Sequence, residues 1–192
     1  MIFRIEEKKA TEGLTKENTR TSLSRKNKQG TLFRLKRGLY CDDPNENVLL
    51  IANAMVQPSY VSFEFALSYY GLIPEGVYEI TCATLYSRGT TTINNHFGRF
   101  SYRNIPVEAY QYALRVLDGA LMAGPEKALC DTLHNIRSVR SRRDLRSLLF
   151  EDLRIEEQAF DELDKETLLE LCSMYPGDTF RILRALLVSF CF

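Results

Sequence analysis

The N-terminal 41 residues show two short ordered patterns with few apolar positions. Between residues 16 and 29 Leu23 is the only large apolar side chain, yet Thr15 can cap a helix there and Gly30 can end it. Residues 31–35 and 39–41 alternate as two strands, and Lys36-Arg37-Gly38 between them forms a turn. We therefore predict a helix over 16–29, followed by a small hairpin with a basic tip.

Apolar positions recur at helical spacing just after Asp42-Asp43-Pro44-Asn45, which we take as a boundary. Asn45 is predicted to cap a helix that runs to about Val56, because the apolar side chains at 48, 49, 51, 52 and 55 form one stripe. Pro58 ends this helix. A second helix is predicted to start at Ser59 or Ser62 and to close at Gly71.

The middle of the chain has strand composition and the remainder has helical periodicity. Strands are predicted at 77–85, 90–93 and 99–103, with a loop over 94–98. Asp118-Gly119 joins two apolar runs, 112–117 and 120–123, as a hairpin. Pro125 starts a helix to about 135, and further helices are expected near 142–150, 156–163, 165–174 and 178–190.

These elements predict an α+β protein with a central antiparallel β region and a helical C-terminal part. The expected domains are a basic module, 1–43, and a larger domain, 44–192. The chain has 25 basic and 25 acidic residues, so its formal net charge is zero. Residues 1–40, however, carry 11 Lys and Arg against 4 Asp and Glu, whereas residues 41–192 carry 14 against 21. Such asymmetry indicates different partners for the two parts.

The basic segment is the best candidate for a binding site. Cations near phosphates release counterions, and a helix can enter the major groove while a hairpin lies beside it. Charge alone leaves open whether the segment contacts DNA or is a solvated basic arm. The predicted DNA-binding residues are Arg20, Ser24, Arg25, Lys28, Arg34, Lys36 and Arg37.

Catalytic and metal-binding patterns are weaker. Glu126, Lys127 and Asp131 cluster within 124–131, but the favoured interpretation is a helix start, with Glu126 at the positive end of the helix dipole. His96 and His134 lack a second ligand at metal spacing, and none of the five cysteines forms a C-x-x-C pair. No phosphate-binding glycine loop or nucleophile elbow occurs. We therefore predict no enzymatic activity, no cofactor and no metal.

Two further patterns bear on partners and location. Residues 151–170 hold nine acidic side chains against two basic ones, which is typical of a solvated helix face; an acidic surface for a basic protein is the minority alternative. The longest apolar stretch, 182–192, is too short to span a bilayer, and Arg4 interrupts the N-terminus before any signal-peptide core. A cytoplasmic protein without membrane contact is expected.

Three segments together resemble a known family, in both order and spacing. The segments are residues 23–40 (LSRKNKQGTLFRLKRGLY), 58–75 (PSYVSFEFALSYYGLIPE) and 124–131 (GPEKALCD). The first resembles the recognition helix and wing of AbiEi-type antitoxins. The second resembles a specific central segment of that family, and the third resembles one of its helix starts. These are predicted transcriptional regulators of viral defence systems. The resemblance covers roughly residues 20–190.

The resemblance implies an N-terminal winged helix-turn-helix that binds inverted repeats in its own promoter. It also implies antitoxin activity in the C-terminal domain, a neighbouring nucleotidyltransferase-like toxin as partner, and phage defence by abortive infection. The chain departs from the family pattern because only about 14 residues precede Thr15, and because Lys26 and Asn27 replace apolar residues. The winged helix is therefore expected to be partial.

Three hypotheses follow. The first is an antitoxin that regulates its own operon through promoter DNA. The second is a toxin-regulating interaction module that has lost DNA binding. The third, for which the sequence gives least support, is a nuclease or other enzyme in the α/β region.

Overall fold

The computed structural model of the chain describes residues 1–6, 16–85, 89–136 and 139–190; the side chains of 16–20 and 189–190 are outside that description. The N-terminal part contains a three-stranded antiparallel sheet and one helix. The strands are β1 (Ile2–Arg4), β2 (Phe33–Lys36) and β3 (Leu39–Cys41), in the order β1-β3-β2, and the helix is α1 (Lys16–Lys28).

The predicted helix and hairpin are both confirmed. Gly30 ends α1 with a positive φ of 69°, while the backbone N–H of Thr31 donates to Lys26 O at 3.1 Å and that of Gly30 to Asn27 O at 3.3 Å. These two bonds form a Schellman motif, which satisfies carbonyls at the helix end. Thr15, the expected cap, lies outside the described residues. Strand β1 was not predicted, since three residues carry too little pattern.

Two apolar clusters meet at the hairpin. Leu23 of α1 packs with Phe3 and Leu32 in a small cluster of its own. Leu35, Leu39 and Cys41 belong instead to the main core, which continues through the rest of the chain; Leu35 and Leu39 are 2% and 4% exposed. The hairpin therefore joins the N-terminal module to the body of the protein.

The body is built on a six-stranded sheet. Its strands are β4 (Ser59–Val61), β5 (Ile80–Thr84), β6 (Thr91–Asn95), β7 (Gly98–Asn104), β8 (Leu114–Leu117) and β9 (Ala120–Ala123). Their order is β6-β7-β5-β4-β9-β8. The pairs β6–β7, β4–β5 and β8–β9 are antiparallel, whereas β5–β7 and β4–β9 are parallel.

The expectation of an antiparallel β region is thus wrong for two of the five strand pairs. The Asp118-Gly119 hairpin is present, with φ values of 48° and 82° at the two turn residues. Such turn signals report only on strands that follow each other in the chain. Strand β7 returns next to β5 and leaves β6 outside, so β5 and β7 run parallel. The predicted loop over 94–98 shrinks to a two-residue turn, His96-Phe97.

Seven further helices lie in the body among the described residues. They are α2 (Val48–Met55), α3 (Phe63–Tyr69), α4 (Pro125–His134), α5 (Arg142–Ser147), α6 (Glu157–Asp161), α7 (Lys165–Met174) and α8 (Asp178–Phe190). A π-helical turn, Leu148–Asp152, continues α5. The α+β class is therefore confirmed. None of the described helices is long and apolar enough to cross a membrane.

One predicted helix start is wrong, and for a second helix only one of the two predicted alternatives is right. Asn47, not Asn45, caps α2, since its Oδ1 accepts the Leu49 N–H at 2.9 Å, while the Asn45 N–H donates to the side chain of Asp43. Of the two starts predicted for the next helix, Ser62 is right, because it is the N-cap residue of α3. Ser59 lies in strand β4 instead. All three residues of β4 are buried, so this internal strand lacks the alternation that would identify it.

Candidate nucleic-acid surface and buried polar cluster

Helix α1 is oriented by its single apolar anchor. Leu23 is 3% exposed and packs against Phe3 and Leu32. At about 100° per residue, Ser24, Arg25 and Lys28 lie roughly 100° to 200° around the helix from Leu23. All three side chains are exposed. The helix therefore presents a cationic face to solvent.

The hairpin adds further cations beside the end of α1. The side-chain Oδ1 of Asn27 accepts the backbone N–H of Arg34 at 3.0 Å, which fixes the last turn of the helix against β2. Arg34 and Arg37 are exposed. Arg20 lies within α1, but its side chain is outside the described part. The structure thus brings Arg25, Lys28, Arg34 and Arg37 into one module.

Lys36 differs from the other predicted DNA contacts. Its Nζ donates to the backbone O of Met55, in the last turn of α2. That helix has no basic residue of its own there, so Lys36 supplies the cation that the negative end of a helix favours. Burial lowers the pKa of Lys36, and the positive charge of Arg4 lowers it further. Lys36 therefore fastens the hairpin to the body.

The hairpin also rests on the turn between β6 and β7. The rings of Phe33 and His96 stack with 4.3 Å between centroids, and the Asn95 side chain donates to Leu35 O at 3.2 Å. These contacts hold the basic module on an edge of the large sheet.

A second candidate lies inside the body, around the sequence 124–131. Lys127 and Asp131 are one turn apart on α4, and both are fully buried. Lys127 Nζ donates to Asp131 Oδ1 at 2.8 Å. The other carboxylate oxygen accepts from Tyr60 OH at 2.9 Å and from Ser62 Oγ at 2.6 Å.

Tyr175 completes this cluster. Its hydroxyl donates to Asp131 Oδ1 at 2.5 Å and accepts from Lys127. Burial, reinforced by the negative charge of Asp131, raises the pKa of Tyr60 and of Tyr175 well above the usual value. Both phenols therefore stay protonated and act as donors. Asp131 receives four donors in all, which is the compensation that a buried carboxylate requires.

The cluster ties together distant parts of the body. It joins β4, α4 and the residue that follows α7, and solvent does not reach its charged atoms. Glu126, the third member of the motif, accepts the Asp164 N–H on Oε1 at 3.0 Å, which links α4 to the start of α7. Because both charged side chains are fully buried and paired, the arrangement holds these elements together.

Sequence reasoning identified this helix but missed the buried pair. Pro125 is at its first position, as expected, and Ala128, Leu129 and Leu133 are buried. The sequence feature that could have indicated the pair is a Lys and an Asp at i, i+4 spacing on either side of an apolar run.

Four cysteines and two histidines lie in the part of the chain that the structure describes. Cys41, Cys82, Cys130 and Cys172 are buried and free, and Cys191 lies outside the described residues. Burial raises the pKa of Cys130, so that thiol is held protonated. Within the described ranges, no three His, Cys, Asp or Glu side chains are grouped to hold a metal ion.

No protein-family model matches the chain, and no curated protein matches it.

Proposed function

We propose that this protein is a DNA-binding regulator of the antitoxin type, which contacts promoter DNA through its N-terminal module. The observation that carries the proposal is the orientation of α1. Leu23 points inward while Arg25 and Lys28 point outward, beside a hairpin with exposed Arg34 and Arg37.

The arrangement fits the geometry of a DNA contact. The major groove is wide enough for an α-helix, and a hairpin beside that helix can reach the flanking phosphates. We assign α1 as the recognition helix and β2–β3 as the wing of a partial winged helix-turn-helix; the order β1-β3-β2 supports this assignment. Lys36 is left out of the contact set because it binds Met55 O.

The body would then carry the antitoxin function toward a nucleotidyltransferase-like toxin. The resemblance of residues 58–75 and 124–131 to AbiEi-type antitoxins supports this role. All nine acidic side chains between 151 and 170 are exposed, and exposed carboxylates would favour a basic partner.

The DNA half is tested by fluorescence anisotropy with a labelled duplex from the region upstream of the gene. The variant is Arg25→Gln/Lys28→Gln/Arg34→Gln. The matched control, Arg99→Gln/Arg154→Gln/Arg181→Gln, removes three exposed but ion-paired arginines from the body. We expect the variant to lower the salt dependence, d log K/d log[salt], by about 2 to 3 because each lost phosphate contact accounts for about 0.9. Binding by the unsubstituted protein that does not depend on salt would contradict the proposal.

The antitoxin half needs a separate test, namely co-expression with the neighbouring nucleotidyltransferase-like reading frame. Relief of growth arrest by the Arg25→Gln/Lys28→Gln/Arg34→Gln variant is expected if the body carries this role. Failure of the unsubstituted protein to relieve the arrest would exclude the role. Relief without any DNA binding would favour the interaction-module hypothesis.

A further inference from the structure

A second group of exposed cations lies in the body, at the start of α5. We name it the arginine patch and define it as Arg140, Arg142, Arg143 and Arg146. All four side chains are exposed. The part of the chain that contains them, 41–192, carries an excess of seven acidic residues, so the patch is a local reversal of charge.

The helix does not need these arginines for its own stability. Ser141 Oγ accepts the Asp144 N–H at 3.1 Å, and the Asp144 carboxylate accepts the backbone N–H of Arg140 at 3.3 Å, so the helix start is already capped. Arg142 and Arg143 occupy its first two positions, where the helix dipole disfavours positive charge. Their charge is therefore not explained by folding.

Ion pairs account for only one of the four. Arg146 lies 3.3 Å from Glu157, and its guanidinium carbon is 5.3 Å from the centre of the Phe150 ring. No described residue forms an ion pair with Arg140, Arg142 or Arg143. These three guanidinium groups are available to an external anion.

The helical spacing gathers three of the four cations on one side, and Arg140 lies just before the helix. Arg142, Arg143 and Arg146 fall within roughly 100° of the helix circumference. They line a cleft of about 520 Å³, whose remaining wall includes Ser147, Phe150, Glu151 and Glu157. Glu157 forms an ion pair with Arg146, and the carboxylate of Glu151 accepts a hydrogen bond from Ser147 Oγ at 2.7 Å.

We propose that the arginine patch binds the phosphate backbone of a nucleic acid. The planar guanidinium group matches phosphate with two parallel hydrogen bonds. A protein partner would be expected to meet an apolar centre surrounded by the polar groups. Among the described residues, the exposed large apolar side chains all lie outside 139–152. The patch would add phosphate contacts to those proposed for the N-terminal module. This inference does not depend on the role of that module, because the patch lies in a different part of the molecule.

The test compares the full-length protein with its Arg140→Gln/Arg142→Gln/Arg143→Gln variant. The probe is a labelled duplex of random sequence, and anisotropy is measured over a range of salt concentrations. We expect the variant to lower the salt dependence by about 2 to 3, whereas the Arg99→Gln/Arg154→Gln/Arg181→Gln control, with the same change of charge, lowers it by less than 1. An unchanged salt dependence would overturn the proposal, whatever the N-terminal variant does.

Two further measurements exclude other roles. The patch variant is expected to melt at the same temperature as the unsubstituted protein or above it, because glutamine does not oppose the helix dipole. A marked fall in melting temperature, together with the binding loss, would identify a structural role instead. Binding of poly-glutamate as tight as that of the duplex, with the same loss in the variant, would assign the patch to acidic polypeptides.

Discussion

The exposed cations of α1 and the buried lysine of the body use positive charge in opposite ways. Arg25 and Lys28 project from α1 into solvent, and among the described side chains of that helix Leu23 makes the apolar contact that anchors it. Lys127 is fully buried in the body, where Asp131 and Tyr175 receive its hydrogen bonds. An exposed cation contributes little to folding and remains available to a partner, whereas a buried one must be compensated within the fold. Substitution of the exposed cations should therefore change binding, whereas substitution in the buried cluster should change stability.

The largest effect is expected from Asp131→Asn, which keeps the shape of the side chain but removes its charge. Lys127 would remain buried without a counter-charge, and breaking a buried pair in this way costs about 3–5 kcal/mol. Urea denaturation measures the free energy of unfolding. The control Asp161→Asn, exposed on α6, should change it by no more than about 0.5 kcal/mol. If Asp131→Asn lowered the free energy of unfolding by less than about 1 kcal/mol, the claim that the buried cation must be compensated within the fold would be contradicted.

The double variant Lys127→Met/Asp131→Asn tests whether the uncompensated charge of Lys127 causes the loss of stability. It removes the buried charge along with its partner, so it should be less destabilised than Asp131→Asn alone. If both variants lose the same stability, the hydroxyls of Tyr60, Ser62 and Tyr175, rather than the ion pair, determine the cost.

A smaller and local effect is expected from Leu23→Ala. Truncating a buried leucine costs about 2–5 kcal/mol, and the small cluster around Leu23 favours the lower end. The loss should be confined to the module. Hydrogen exchange of α1 amides should accelerate while that of α4 amides is unchanged. Leu129→Ala, which truncates a fully buried leucine in the body, should accelerate exchange in both. Equal acceleration of α4 by Leu23→Ala would show that the two regions unfold as one unit.

The contrast also explains what could be predicted from the sequence. Helix α1 and the hairpin depend on local signals, such as Gly30 after the helix and Gly38 in the turn, and these were predicted. The two parallel strand pairs depend on contacts between residues far apart in the chain, for which turn residues give no information. Strand β4 was missed because all of its side chains are buried.

The candidate sites divide in the same way. The exposed face of α1 could be predicted because Leu23 is the one large apolar side chain between residues 16 and 29. The contact between Lys36 and Met55 O spans 19 residues, and no local pattern indicates it. The partners of Asp131 are still more distant: Tyr60 lies 71 residues away and Tyr175 lies 44. The burial of Lys127 therefore follows from tertiary structure alone.

Tyr60→Phe tests the cluster with a smaller change. The substitution removes one of four donors to the Asp131 carboxylate and should cost about 1.5 kcal/mol, the lower end for a hydrogen bond to a charged group. Tyr102→Phe is the matched control, because Tyr102 OH is also buried but donates to the neutral Ala52 O at 2.8 Å. Its cost should be about 1 kcal/mol. A larger loss for Tyr102→Phe would show that the charge of Asp131 does not set the strength of these bonds.

The smallest expected effect is a pH dependence that belongs to the body. His134 is half-buried, and its ring centroid lies 5.6 Å from that of Tyr175. Burial lowers its pKa, although the nearby Asp131 opposes this shift. As the pH falls, the unfolded chain therefore takes up a proton before the folded protein does. The stability that neutral His134 contributes is complete above an unfolded pKa of about 6.5, and it is lost as the pH falls through the folded value. Because the ring is partly solvated, the loss should be roughly 0.5 kcal/mol or less. His134→Gln should remove it, so the difference in unfolding free energy between the two proteins should change between pH 7.5 and pH 5.5. A constant difference over that range would show that His134 does not link protonation to the stability of the body.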